Sequence, residues 1–318
     1  MSPRILTIDP LKVDWHSPVE DDHFRSGCGP VEAVQKAREL IASGEDGAVV
    51  IEGRDFLRSE YSSLERREAM SINARDLPLT EAYDQLTQRY LTNHQISKSD
   101  FLELRDALFE NHWRCFNDRH RDAKRPSDRW FDPITELFRG VDCANPVVDF
   151  HGKFLLCSHS LAADLAIPAD QVVDIVNVGL GAAKGDGLSH LAEIANYEHL
   201  QSAVKRLEEP LPRNIKSLFE EGQLLLDIYT CYPIVPIACL GALGLATTTK
   251  GLREFIDEHE ITQTGGMNLA RGAWNNPALN GLIAMYESLV EQRVEVRPHG
   301  LVHGNGGLGY RQGLVLMR

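Results

Sequence analysis

The sequence has no apolar run long enough to cross a membrane. Its best candidate, Ile234 to Ala246, falls short of the roughly 20 residues such a helix needs and sits in a polar context, so no membrane association is expected. Paired cysteine spacing is missing too. Cys28, Cys115, Cys143, Cys157, Cys231 and Cys239 are scattered, which speaks against structural zinc, and a chain of 318 residues needs no disulfides to hold its core. Positive charge is in the minority: 33 Lys and Arg stand against 46 Asp and Glu, a net −13. That excludes a nucleic-acid surface, which needs clustered cations. The histidines His112, His120, His151, His159 and His299 fall in no helical His-x-x-x-His pair and suggest no metal. No solenoid period or low-complexity tract is present. The first ten residues turn polar too soon for a signal peptide, and a cytoplasmic, reducing location is expected.

An apolar share of 43% and a charged share of 25% are those of a globular chain. Val31, Val34, Ala37, Leu40 and Ile41 recur at helical spacing behind Pro30, which predicts a helix from about Pro30 to Ala42, ended by Gly44. A buried strand, Ala48 to Ile51, follows and stops at Gly53, which makes one half of a parallel α/β unit. Residues 79–139 read as a polar, mostly helical inserted lobe, with Thr80 and Ser97 as N-caps. The α/β pattern resumes with strands at Lys153–Cys157, Val172–Val178 and Leu224–Ile228, and with helices near Ser160–Leu165 and His199–Leu207. A helix from Pro277 to about Arg293 precedes strands at Gly300–Val302 and Gly313–Met317. The glycine turn joining those two strands reads as a hairpin at a sheet edge.

Five stretches in order resemble the thiolase superfamily, especially its atypical acetyl-CoA acetyltransferase and sterol-carrier-protein-type branches. Cys28-Gly-Pro-Val-Glu-Ala-Val through Gly53 is similar to the segment carrying the thiolase nucleophile. Pro78-Leu-Thr-Glu-Ala-Tyr-Asp is similar to the start of the loop lobe, and Asp227-Ile-Tyr-Thr-Cys-Tyr-Pro233 to the entry into the second half. Thr264-Gly265-Gly266 with Asn275-Asn276 resembles the third motif, and His303-Gly-Asn-Gly306-Gly307 the last. The resemblance implies an α/β, thiolase-like layered α/β/α/β/α fold. Only 27 residues precede Cys28, so the N-terminal half is expected to be incomplete, with residues 1–75 a partial half, 76–145 the helical lobe and 146–318 the C-terminal half.

Thiolase chemistry needs a thiolate, a base at carbon and donors for oxyanions. Cys28, at a helix N-terminus that lowers a thiol's pKa, is the candidate nucleophile. Aligning Ala33 and Val34 with the family pattern nevertheless puts Gly27 in the nucleophile column, and an inert buried Cys28 stays open. Tyr229 is the candidate oxyanion donor or acid, or else a core residue beside Thr230 and Cys231. The position matching the family's activating His is Gly272. His303 is the candidate base, or a surface-loop His. Gly265, Gly266, Asn275, Asn276, Gly306 and Gly307 are the candidate substrate-binding residues; turn geometry explains the glycines equally well, and a helix N-cap the asparagines.

The implied function is an acyl-CoA acyltransferase of the acetyl-CoA C-acyltransferase type, acting in lipid metabolism, with a CoA thioester as substrate and no covalently bound cofactor. Retro-aldol cleavage of a CoA thioester and a non-catalytic partner subunit are the alternatives. A few basic residues suffice for CoA's phosphates despite the net charge, and Arg114, Arg119 and Arg121 are candidates from charge alone. An unpaired sheet edge predicts oligomerisation, as a homodimer or with a thiolase-like or acyl-CoA-binding subunit.

Overall fold

The computed structural model describes residues 3–73, 77–145, 147–270, 273–292 and 297–318. Its strands form two four-stranded sheets. In the first, β1 (Arg4–Ile8) lies parallel to β2 (His23–Phe24) on one side and to β3 (Ala48–Phe56) on the other. Strand β4 (Asp149–Cys157) closes the order β2-β1-β3-β4 and runs antiparallel to β3. The second sheet has the order β5-β8-β7-β6, with β5 Ile175–Ala182, β6 Leu224–Asp227, β7 His299–Gly306 and β8 Arg311–Met317. Only β6 and β7 pair in parallel there.

Helix α1 (Gly29–Ser43) carries Pro30 in its first turn and ends where Gly44, at φ 76°, turns its N–H back to the Ile41 carbonyl. Its buried residues Pro30, Val31, Ala33, Val34 and Ala37 leave little polar face near the N-terminus, because it lies between the two sheets. A short helix α2 (Ser63–Ala69) follows β3, and α3 (Leu79–His94) and α4 (Lys98–Arg119) form the helical lobe. Ser97 caps α4 through the Asp100 amide, whereas α3 starts straight after Pro78 with no side-chain cap, so Thr80 lies inside the helix. Beyond β4 come α5 (His159–Asp164), α6 (Leu191–Ile194), α7 (Glu198–Glu208) and α8 (Ile215–Glu220). They are followed by α9 (Ile234–Ala242), α10 (Thr249–Glu258) and α11 (Pro277–Glu291). Helix α11 joins α1 in the middle layer, touching both β4 and β7, while α7 covers β5 and β8 from outside.

The stack is therefore sheet, helices, sheet, helices. Leu6, Ile8, Val49 and Ile51 on the inner face of the first sheet are fully buried. On its outer face Ile5 is 51% and Leu155 is 55% exposed. This is a layered α/β fold in which the outer face of the first sheet stays partly open at Ile5 and Leu155.

Several local readings change. Strand β3 does not stop at Gly53 but runs on to Phe56, with Gly53 opposite Gly152 in register. The strand expected at Val172–Val178 is shifted to Ile175–Ala182. Strands β1 and β2 carry no clear sequence signal, yet they supply half of the first sheet. The C-terminal hairpin is not at an edge: β7 and β8 are the two central strands of their sheet. Their glycines are there because α1 packs close, and a Cβ on Gly304 would come within 2.9 Å of Val31 Cγ2.

Candidate functional site

A cavity of about 1430 Å³ opens between the lobe, the end of β6 and the N-terminus of α1. Its inner wall comes from three backbone segments. The first is the stretch after β6. Buried Asp227 accepts from the Gln263 amide at 2.7 Å and the Thr264 amide at 3.1 Å, while Thr230 Oγ1 accepts from the Met267 amide at 2.8 Å. Burial pushes the Asp227 carboxyl up to about 6, against the pull of those hydrogen bonds. So anchored, the segment presents Tyr229, Cys231 and Tyr232 to the cavity. The second is the turn before α1, where Ser26 holds a left-handed φ of 116° and brings Gly27 to the wall. The third is the end of β7, with Asn305 and Gly307.

Gly27 and Tyr229 meet at the floor. A Cβ on Gly27 would fall 2.1 Å from Tyr229 Oη and 2.3 Å from the Asn305 carbonyl oxygen. Burial raises the Tyr229 phenol well above its ordinary range, so it is held protonated, as a donor.

Cys28 does not reach this floor. It is 1% exposed, does not line the cavity, and its Sγ lies 2.9 Å from where a Cβ on Gly313 would be. The thiol therefore points into the core between α1 and β8. The helix N-terminus does not lower its pKa: burial comes first and pushes it well above the usual thiol value, with Glu32 adding to the rise.

His303 is in a different place again. Alternation along β7 sends Gly304 towards Cys28 and Val31, and His303 to the opposite face of the sheet. Its ring meets Tyr229 edge-on at 6.5 Å, but it does not line the cavity. It is 1% exposed, and burial pulls its pKa down to about 4. Its Nε2 lies 2.8 Å from Gln312 Oε1. Gln312 Nε2 donates to Asn305 Oδ1 at 2.7 Å and to the Gly309 carbonyl at 2.8 Å, so Gln312 Oε1 can only accept and His303 carries its proton on Nε2. The line continues from Asn305 Nδ2 to Tyr83 Oη at 3.0 Å, and Tyr83 donates to the Gly307 carbonyl at 2.7 Å. Cys231 Sγ also donates to Tyr83 Oη, at 3.6 Å, and burial pushes that thiol up to about 12.

Of the other candidates, Asn275 and Gly307 line the cavity; Gly265, Gly266, Asn276 and Gly306 do not. Gly265 and Gly266, at φ 85° and 84°, let the turn pack on Phe116 and His112 of α4. Asn276 stands at the N-cap position of α11, but its side chain donates to the Ala273 carbonyl instead of capping the helix. Gly272 lies outside the described residues. Arg114 and Arg119 bind main-chain carbonyls, those of Asp257 and Cys115 respectively, and serve packing. The basic groups that do line the cavity are Arg67, His120, Lys124 and Arg129, and no Asp or Glu joins them among the described residues. Sequence reasoning passed over Tyr83, Asn305 and Gln312. The first two sit inside motifs quoted for their resemblance, while Gln312 carried no signal. No cluster able to hold a metal and no helix long and apolar enough to cross a membrane occurs among the described residues.

No family model matches the sequence, and no curated protein matches it. Solved structures do resemble the fold. One is a monomeric SCP2-thiolase-like protein type 1 from Mycobacterium smegmatis, 17% identical, with a TM-score of 0.69 over 94% of this chain and 63% of that one. The present chain thus spans less than two thirds of that protein. The Ltp2–ChsH2(DUF35) aldolase is 16% identical, with a TM-score of 0.65 over 99% of this chain and 86% of that one. Acat5 thiolase from Ascaris suum, solved in complex with coenzyme A, is 10% identical, with a TM-score of 0.60 over 99% and 87%. At these identities the likeness establishes the fold, which is thiolase-like.

Proposed function

We propose that the cavity binds a CoA thioester and works on it by proton transfer at carbon, without a covalent acyl-enzyme; the reaction that fits is retro-aldol cleavage of a 3-hydroxyacyl thioester. The observation carrying this reading is the floor itself, where Gly27 faces a phenol and the neighbouring thiol of Cys28 is turned into the core. Acyl transfer through Cys28 would require that buried, protonated thiol to leave its packing and lose its proton. The basic lining supports the ligand class: three cationic side chains, Arg67, Lys124 and Arg129, without a carboxylate among the described residues, on a chain of net charge −13, select polyanionic groups such as CoA's phosphates. The aldolase and the coenzyme A complex among the similar structures bear on the fold only.

In the proposed reaction the 3-hydroxyl loses its proton, C3 becomes a carbonyl, and the C2–C3 bond breaks with its electron pair moving to C2 and the thioester oxygen. Tyr229, kept protonated by burial, delivers its proton to C2 and takes up the hydroxyl's proton in the same step, so the phenol is restored as the bond breaks. The test is product analysis by mass spectrometry with a panel of acyl- and 3-hydroxyacyl-CoAs. Expected are a carbonyl fragment plus the shortened acyl-CoA, turnover unchanged in Cys28→Ala and lost in Tyr229→Phe, and no acyl adduct on the protein. An adduct on wild type that vanishes in Cys28→Ala would overturn the reading in favour of acyl transfer.

A partner subunit remains part of the proposal because the outer face of the first sheet leaves Ile5 and Leu155 open. Light scattering on the purified chain, alone and with a thiolase-like or acyl-CoA-binding subunit, reads whether that face is covered.

A further inference from the structure

The connection from β1 to β2 is fixed from several sides. Asp9, 1% exposed, accepts from Arg25 Nε at 3.0 Å and pairs with His23 Nδ1 at 2.7 Å. Arg25, itself buried, donates through Nη1 to the carbonyls of Asp14 at 2.7 Å, Trp15 at 3.2 Å and Ser17 at 2.8 Å. The Leu11 amide donates to Asp55 at 2.8 Å, and His16 Nε2 bonds the Ile72 carbonyl at 3.1 Å. Asn275 Nδ2 donates to the Asp9 carbonyl at 2.8 Å and ties the loop to the start of α11.

What the loop shows to the cavity is Trp15. It meets Trp274 edge to face, with centroids 6.1 Å apart and planes at 74°. Trp274 holds a left-handed φ of 49°, a costly conformation for a bulky aromatic that persists only where its surroundings impose it. Both indoles line the cavity and both stay partly exposed, beside Met70 and Ile72. Trp274 packs against a small apolar cluster of Leu11, Leu57, Val148 and Ala273, which Tyr61, Ala69, Met70 and Phe150 also cover. A buried guanidinium, a buried carboxylate and a strained tryptophan are a large outlay for packing alone, and what they achieve in common is a rigid indole wall facing the ligand space.

Resting on the proposal that this cavity takes a CoA thioester, we infer that Trp15 and Trp274 form its acyl-binding wall and set a preference for apolar acyl groups larger than acetyl. Apolar contact with two fixed indoles is gained only by an acyl chain long enough to reach them. The phosphate-bearing half of the ligand gains nothing from it.

The test is calorimetric binding of free CoA and of octanoyl-CoA, which has no 3-hydroxyl to react, to wild type, Trp15→Ala and Trp15→Phe. Wild type is expected to prefer octanoyl-CoA. Trp15→Ala should weaken octanoyl-CoA by about tenfold while leaving free CoA within about twofold, and Trp15→Phe should retain most of the preference. Trp15→Leu, which keeps apolar packing, replaces Trp15→Ala if that variant does not fold. Equal weakening of both ligands, or no weakening, overturns the wall and leaves CoA binding in place. Failure of wild type to bind either ligand overturns the CoA reading and this inference with it.

Discussion

The hydroxyl of Tyr229 stands 2.1 Å from the point where a Cβ on Gly27 would be. Residue 27 can therefore carry no side chain while residue 229 is tyrosine. The phenol reaching across from the end of β6 fills the volume a side chain at 27 would take, and the Asn305 carbonyl oxygen, 2.3 Å from the same point, closes it from β7.

This exclusion makes a coupling measurable. Gly27→Ala and Gly27→Cys should each destabilise the protein by about 1–3 kcal/mol through overpacking. Gly27→Cys combined with Tyr229→Ala should recover part of that loss, a coupling of about 1 kcal/mol in a double-mutant cycle by urea denaturation, while the clash with the Asn305 carbonyl persists. Additive losses would mean that the phenol and the residue-27 side chain do not compete.

The stability of the protein should change sign-dependently with acidification. Burial pulls the pKa of His112 and His303 down to about 4, below the ~6.5 of an unfolded histidine. Their contribution is whole above about pH 6.5 and is lost as pH falls towards 4, because the unfolded chain then binds protons the folded chain refuses. Asp55 and Asp227, raised to about 6 by burial, act in the opposite sense. They hold protons that the unfolded chain releases above about pH 4, so what they contribute is lost as pH rises through 6. The pairs oppose each other between about pH 4 and 6, leaving the histidines alone just above. Against wild type, His303→Gln should lose about 2–3 kcal/mol less between pH 7 and 4.5 in urea titrations at each pH. Parallel curves would show that His303 is not held neutral.

Gln312 lies behind the cavity wall, yet it sets the direction of every hydrogen bond from His303 to Tyr83. Gln312→Leu strands the His303 N–H and Asn305 Oδ1 in the interior and should cost about 2–5 kcal/mol. Tyr83→Phe removes the acceptor of Asn305 Nδ2 and Cys231 Sγ and the donor to the Gly307 carbonyl, and should cost about 1–3 kcal/mol. Chevron or equilibrium denaturation distinguishes the two; a Gln312→Leu variant as stable as wild type would show that the chain of bonds adds nothing.

Much of the fold was legible. Pro30 and Gly44 frame α1 through backbone chemistry that any sequence reader can apply, and Ser97 caps α4 for the same reason. The 3.6-residue period of α1 and α11 survived because both helices bury wide faces. Strands β1 and β2 were not legible: β2 has two residues, and β1 draws its place from pairing with β3 rather than from its own pattern. Legibility of the site was uneven. Tyr229, Asn275 and Gly307 were singled out and do line the cavity; Tyr229 follows β6 and Gly307 follows its parallel neighbour β7. Cys28 and His303 were singled out on residue type and neighbourhood, and their orientation was beyond reach.

By itself the sequence determined most of the helices and strands and their order, since these follow from local periodicity, caps and breakers, while the layered arrangement followed from the resemblance of its motifs. It also determined that the turn before α1 and the end of β7 are rich in small residues able to approach closely. Only the tertiary structure decided which side chains face the cavity. One residue along a helix start separates Gly27 at the floor from Cys28 in the core, and one along a strand sends His303 and Gly304 to opposite faces. Local patterns carry no information on that scale, because the facing of each side chain is settled by the elements packed against it, from far away in the chain.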